Sequence, residues 1–271
     1  MQKQRLNNKN LETVLAQRPL GLAFDFDGTL SPIAPTPEEA QLYPGVADLL
    51  QRAQKYAHVA ILTGREIEDG ARKINLDGLT YIGTHGMEWS DGLPWLHTVH
   101  IDPNALEYTL PGTYLLDLVA ARQADLPGVI VQRKRVGGSI HYRLAPDKEQ
   151  TRQKLLELLA EPARRVNMQL SEGKQIVEIR PPLAIDKGLA LRHFAQINDL
   201  SGLIFAGDDS TDLDAFMEIA QLRQRGLAAL AIVVRHPDTL PALLQHADIV
   251  VDGVPGMVAL LRCMIEILEC S

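Results

Sequence analysis

The stretch Leu20-Gly21-Leu22-Ala23-Phe24-Asp25-Phe26-Asp27-Gly28-Thr29-Leu30 decides how this chain is read. Its first half is apolar without alternation, as expected of a strand buried on both faces in a parallel sheet. Asp25 and Asp27 then fall at the strand's C-terminal end, where open α/β sheets receive their ligands. Gly28 permits a tight turn, and Thr29 offers a hydroxyl to the loop. Two carboxylates so close can bind Mg²⁺ and take part in covalent chemistry, so the segment is a candidate phosphoryl-transfer site.

Working outward, further apolar runs end in polar groups. His58-Val59-Ala60-Ile61-Leu62 leads into Thr63-Gly64-Arg65, and Leu203-Ile204-Phe205-Ala206 leads into Gly207-Asp208-Asp209. Ala229 to Val234 and Ile249 to Val251 read as two more strands. Helical spacing connects them: Val46, Leu49, Leu50 and Ala53 after Pro44-Gly45, then Leu189, Leu191, Phe194 and Ile197 with Asp186 as N-cap. A last helix is expected over about Pro255 to Leu268. This alternation predicts an α/β fold with a doubly wound, Rossmann-like parallel-sheet core.

The middle of the chain differs. A helix is expected around Tyr114 to Arg122, and strands over Val129–Arg133, Ser139–Arg143 and Gln175–Ile179. Arg135 to Gly138 reads as a turn, and a second helix spans Lys148 to Leu159. These short pieces predict a smaller α+β cap domain over residues 104–182, inserted into a discontinuous core of residues 1–103 and 183–271. Trp89 and Trp95 bracket an expected hairpin at Ser90-Asp91-Gly92 and read as packing residues.

Composition narrows the function classes. Hydrophobic residues make up 46% and charged residues 23%, the balance of an ordinary globular protein. The net charge of −7 argues against nucleic acid or an anionic membrane as partner. It also means that an anionic substrate needs local cations or a metal to receive it. No run approaches the roughly 18 apolar residues of a membrane span, and Met1 to Asn8 lacks the apolar core of a secretory signal. Cys263 and Cys270, on one helix, would lie about 10 Å apart along its axis, too far for a disulfide. The expectation is a reduced, cytoplasmic protein.

Asp25, Asp27, Thr63, Asp208 and Asp209 thus share one edge of the sheet, and Lys187 stands beside them at a helix start, where backbone N–H groups favour an anion. This ordered set resembles the four motifs of the haloacid-dehalogenase-like phosphohydrolase superfamily. Asp25 and Asp27 correspond to the first, Thr63 to the second, Lys187 to the third and Gly207 to Asp212 to the fourth. The chain is similar, more closely, to the trehalose-6-phosphate phosphatases. The segments that carry this likeness are Leu62 to Arg65, Gly83 to Glu88, His141 to Arg143 and Gly173 to Pro181. Leu213 departs from the pattern, which often has Glu there; either that carboxylate is missing or Asp214 substitutes for it.

The resemblance implies a Mg²⁺-dependent hydrolysis of trehalose 6-phosphate. Asp25, ionised at its ordinary pKa, is the implied nucleophile that forms an aspartyl-phosphate. Asp27 is the implied acid and base, a role that calls for a carboxyl raised by desolvation and by its carboxylate neighbour. Mg²⁺ is expected on Asp25, Asp208 and the Asp27 carbonyl, with Asp209 and Asp212 supporting its shell or positioning Lys187. Thr63 and Lys187 are expected on the phosphoryl oxygens. Gly64, Arg65, His85, Arg143, Lys174 and Glu178 are expected to bind substrate, Lys174 and Glu178 from one face of a strand with Arg143 assisting. Plainer readings stand beside these: Asp212 as a helix-start acid, His85 as a turn residue, and Lys174 and Glu178 as a solvated face. Other sugar-phosphate phosphatases, acting on sucrose 6-phosphate or mannosyl-3-phosphoglycerate, remain alternatives, as does a non-catalytic sugar-phosphate sensor. The intact Asp25, Asp27, Lys187 and Asp208 speak against the sensor. The sequence does not say whether a synthase partner exists.

Overall fold

Strands buried on both faces form first in the reading and sit centrally in the structure, a computed structural model that describes residues 10–270. The reading of Met1 to Asn8 lies outside those residues. In chain order the strands are β1 (Leu20–Phe24), β2 (His58–Leu62), β3 (Thr80–Gly83), β4 (Glu88–Asp91), β5 (His100–Ile101), β6 (Ile130–Arg133) and β7 (Gly138–His141). There follow β8 (Gln169–Gly173), β9 (Ile176–Arg180), β10 (Gly202–Gly207), β11 (Ala228–Arg235) and β12 (Ile249–Asp252). An eight-stranded sheet runs β12-β11-β10-β1-β2-β3-β4-β5, and a four-stranded sheet runs β6-β7-β9-β8.

β1 is buried at every position. It pairs in parallel with β2 on one side and with β10 on the other. β11 and β12 continue the parallel ladder beyond β10, and β3 continues it beyond β2. This order reverses direction at β1, so the loops after β1, β2 and β10 open onto one edge. Helix Lys187–Ile197 packs Leu191 and Phe194 into the same core as Phe205 and Phe216. The last two rings meet edge-on at 5.2 Å between centroids. Asp186 caps that helix as expected, its Oδ1 accepting from the Leu189 N–H at 2.7 Å.

The chain divides into two compact units. One comprises Met1–Ile33, Gln41–His100 and Ile185–Ser271; the other comprises Ala34–Ala40 and Ile101–Ala184. The expected insert was 104–182 alone; residues 34–40 join it here. Within that unit Arg143 Nη1 donates to the Ala34 carbonyl. The smaller unit carries its own core, with Leu115, Leu116, Ile140, Leu155, Leu159 and Val177 buried together.

Several local expectations shift. The helix expected from Tyr114 runs Thr109–Ala120; Pro111 falls in its first turn, where a missing N–H costs nothing. The helix from Lys148 continues to Arg165, through Pro162, and the last helix spans Gly253–Cys270. The hairpin joins β3 and β4 through the turn Thr84–Gly86, so Ser90 and Asp91 belong to the strand. Trp89 packs edge-on against His193, whereas Trp95 is about half exposed. β8 went unread because only Leu170 in it is strongly apolar. Among the described residues no helix is long and apolar enough to cross a membrane. Cys263 and Cys270 are free thiols.

Candidate active site

Strand ends deliver the acids. Pairing carries β1 past its last strand residue, since Asp25 N–H donates to Ala206 O at 2.9 Å, and this aligns Asp25 with the end of β10. Asp25, Asp208 and Asp212 each place a carboxylate oxygen within 4.8 Å of the others, and all three are buried. Lys187 enters from its helix start and is only 2% exposed. Its Nζ lies 2.6 Å from Asp25 Oδ1 and 2.6 Å from Asp212 Oδ1. The second Asp212 oxygen accepts the backbone N–H groups of Asp208 and Asp209 at 2.9 and 3.0 Å. Asp212 is therefore more than a helix-start acid: it fixes Lys187 and folds the Asp208-Asp209 loop together. Asp209 caps the short turn that follows, Oδ1 accepting from Thr211 N–H at 2.7 Å.

Opposing electrostatic effects meet in this cluster. Burial pushes the Asp25 carboxyl well above the ordinary carboxylate range; Lys187 pulls it back, and Asp212 and Asp208 push it up again. Burial by itself would lower Lys187, but Asp212 and Asp25 outweigh it and hold the ammonium charged. The expectation of an Asp25 ionised at its ordinary pKa thus meets surroundings that oppose it. Three carboxylates against one ammonium leave two formal negative charges. An all-oxygen donor set with that excess fits a hard divalent cation.

Asp27 stands in different surroundings. Its carboxylate accepts two hydrogen bonds from Arg65, Nε to Oδ2 at 2.7 Å and Nη2 to Oδ1 at 2.8 Å. The side chain is 39% exposed. Its hydrogen-bond partner is thus a guanidinium. Arg65 also donates to Asp69 Oδ2 at 2.6 Å and lies over the Phe26 ring. It is a buried bridge between the Asp27 loop and helix Ile67–Ile74.

The loops after β2 and β3 are knitted together. Thr63 is buried, and its hydroxyl accepts from Arg65 N–H at 3.1 Å. His85 N–H donates to Thr63 O at 3.0 Å and Thr84 N–H to Arg65 O at 2.7 Å. Thr84 and His85 both sit in the left-handed region, at φ 47° and 57°, a conformation that costs each of them energy. Glu88 holds that turn from below: its Oε2 accepts the Thr84 hydroxyl at 3.0 Å and Ile67 N–H at 2.8 Å. The His85 ring abuts Gly64, where a Cβ would stand 2.6 Å from its Cε1. Gly64 is therefore required by His85.

In the smaller unit Glu178 lies on β9, opposite Ser139 on β7. Its Oε1 accepts from Lys134 Nζ at 2.9 Å and from Ser139 Oγ at 3.0 Å. Lys174 is not on that strand. It occupies the two-residue turn between β8 and β9, with Gln175 left-handed at φ 62°. The same-face spacing with Glu178 therefore fails, because strand alternation does not extend through a turn. Arg143 donates to backbone carbonyls, of Lys174 at 3.3 Å and of Ala34.

The trehalose-phosphatase family profile matches residues 23–239, which takes in every core residue just described. The chain belongs to the trehalose-phosphatase family. It is 33% identical over 249 residues to the trehalose-phosphate phosphatase of Mycobacterium leprae (strain TN), covering 86% of this chain and 54% of that protein. The Mycobacterium bovis (strain BCG / Pasteur 1173P2) trehalose-phosphate phosphatase is 34% identical over 238 residues, 83% of this chain and 56% of that one. The chain spans about half the length of these curated relatives. Among solved structures, a trehalose-6-phosphate phosphatase related protein superposes with a TM-score of 0.76 at 26% identity, covering 91% of this chain and 97% of that chain. The C-terminal domain of Candida albicans trehalose-6-phosphate phosphatase gives 0.80 at 18% identity, over 98% and 97% of the two chains, a likeness of fold.

Within this trehalose-phosphatase frame, the sequence reading passed over Asp69, Lys134 and His236 and gave Glu88 no role. Asp69 had a signal, standing one helical turn after Arg65. Glu88 begins a short strand whose burial alternates and falls on its buried face. Lys134 lies in an irregular turn, where no periodicity points to a partner. Leu213 is partly buried against the core cluster, so a carboxylate there would have to give up that packing.

Proposed function

We propose that this chain is a Mg²⁺-dependent phosphatase that hydrolyses trehalose 6-phosphate to trehalose and phosphate. The observation that carries the reading is the buried group of Asp25, Asp208, Asp212 and Lys187 at the sheet edge; the family and the names of the relatives supply the substrate. Asp25 and Asp208 would hold Mg²⁺, which supplies the positive charge that lets a carboxylate meet an anionic phosphate. An oxygen of Asp25 attacks phosphorus, and the bond from phosphorus to the sugar oxygen breaks. Asp27 gives its proton to that leaving oxygen. It then takes a proton from the incoming water, whose oxygen attacks phosphorus and breaks the bond to Asp25. Asp27 rests for this role on its place in the motif and its accessible carboxylate, oriented by Arg65. Lys187 and the Thr63 hydroxyl serve the phosphoryl oxygens as charge shifts.

The smaller unit supplies sugar recognition in this reading, with Glu178, fixed by Lys134 and Ser139, as an acceptor. Arg143, Lys174, His85 and Gly64 complete the proposed substrate set, Arg143 and Gly64 by shaping backbone. Asp209 supports the metal loop as a cap. Two free thiols favour a reducing compartment, the cytoplasm. The test is a phosphate-release screen over sugar phosphates, with Mg²⁺ and with chelator. Trehalose 6-phosphate is expected to be the best substrate and to need the metal. Faster release from sucrose 6-phosphate or mannosyl-3-phosphoglycerate would replace the substrate, and no release from any would replace the enzyme with a sensor.

A further inference from the structure

His236 is absorbed by none of the roles above, yet it touches the centre of the site. It is the first residue beyond β11, and Asp208 is the first beyond β10. Sheet order places β10 between β11 and β1. The imidazole therefore reaches across the end of β10 to the loop after β1. There its Nε2 lies 2.8 Å from the Gly28 carbonyl oxygen. A carbonyl only accepts, so Nε2 carries the proton in this contact. The same nitrogen lies 3.7 Å from Asp208 Oδ2, and the side chain is 17% exposed.

Both ends of this bridge are built. On the His236 side, its N–H donates to Thr239 Oγ1 at 2.7 Å and Thr239 N–H returns to His236 O at 3.1 Å. Pro237 follows at once and restricts the backbone between them. On the other side Gly28 is left-handed at φ 87°, with its N–H donating to Ser31 O at 2.7 Å. Its bare Cα lies against the Asp208 carboxylate: a Cβ there would stand 2.6 Å from Oδ1. The Gly28 turn and the His236 ring therefore both face one carboxylate, joined to each other by one hydrogen bond.

We propose that His236 is a positioning residue, which clamps the Gly28 turn against Asp208 and thereby sets the affinity of the Asp25–Asp208 pair for a divalent cation. This rests on the metal reading above. A hydrogen bond one layer out from the ligands acts on affinity by fixing where a ligand oxygen stands, and losing such a partner typically costs about 10- to 100-fold. A ring present only to fill space would act through its volume instead.

The full-length protein, stripped with chelator, is titrated with Mn²⁺ and read by electron paramagnetic resonance, beside His236→Ala, His236→Phe and His236→Gln. The Gln amide nitrogen stands as many bonds from Cα as Nε2 does and can donate to the same carbonyl. His236→Ala and His236→Phe are expected to weaken Mn²⁺ binding about tenfold or more, and His236→Gln to restore most of it. Metal-free urea unfolding identifies any variant that fails to fold, and the Gln variant then carries the comparison. Unchanged affinity in the Ala and Phe variants overturns the proposal, and so does a Gln variant as weak as Ala. Wild-type protein with no Mn²⁺ site lost in Asp208→Asn overturns the metal reading itself, and the role of His236 falls with it.

Discussion

Asp25 and Asp27 are chemically alike, and only their surroundings separate them. Asp25 is buried on Lys187, whereas Asp27 is open to solvent and held by Arg65. Asp25→Asn is expected to form no phospho-enzyme with any substrate. Asp27→Asn is expected to phosphorylate Asp25 from an aryl phosphate, whose leaving group needs little protonation, and then to stall; rapid quench should trap the label on Asp25. Label on residue 27 of an Asp25→Asn variant would reverse the assignment. Lys187→Met leaves Asp25 and Asp212 buried without their cation, and is expected to cost about 3–5 kcal/mol in urea unfolding with chelator present. At this scale the sequence revealed the acids, because motif spacing is local. It offered Lys187 as a partner of Asp212 but did not reveal Arg65 as the partner of Asp27. Arg65 carries the same charge whatever it meets, and its contact with Asp27 is legible only in the fold.

Strand ends are where elements become chemistry. At the end of β10, Gly207 packs so closely on Asp212 that a Cβ would stand 2.5 Å from its Cγ. Gly207→Ala is therefore expected to push Asp212 off the Asp208 and Asp209 amides. A loss of about 1–3 kcal/mol, measured by thermal unfolding, is expected, with a larger fractional loss of turnover. Equal turnover would mean that the loop tolerates the shift. The elements that hold the site were legible because β1, β2, β10 and β11 are covered on both faces and so read as unbroken apolar runs. β8 was illegible because Gln169-Leu170-Ser171-Glu172-Gly173 forms the edge of its sheet and presents little to a core. Lys174 was misplaced for a related reason: Gly173-Lys174-Gln175 turns the chain, and an even spacing counted through a turn no longer names a face.

For the molecule as a whole, the excess of buried carboxylate makes a divalent metal the first variable to test. Chelation is expected to abolish turnover and Mg²⁺ to restore it, while Ca²⁺, with its larger and looser shell, is expected to inhibit; full turnover in excess chelator would remove the metal from the account. Division of labour between the two units is tested by Glu178→Gln, which keeps the shape and removes the charge. A loss of about 10- to 100-fold is expected on the sugar phosphate, from one charge-assisted hydrogen bond, with little change on an aryl phosphate. An equal loss on both would make Glu178 a scaffold residue.

The position of β10 between β1 and β11 has a consequence for synthesis. β1 ends at Phe24, but its second neighbour begins only at Gly202. At about 5–20 residues per second, the wait lasts on the order of ten to forty seconds. Throughout it, an entirely apolar strand has one unpaired edge, the kind of surface that chaperones shield and that stray strands can join. A nascent chain stalled just before Gly202 is therefore expected to be bound by a holdase and cut readily by protease, and one stalled after β11 to escape both.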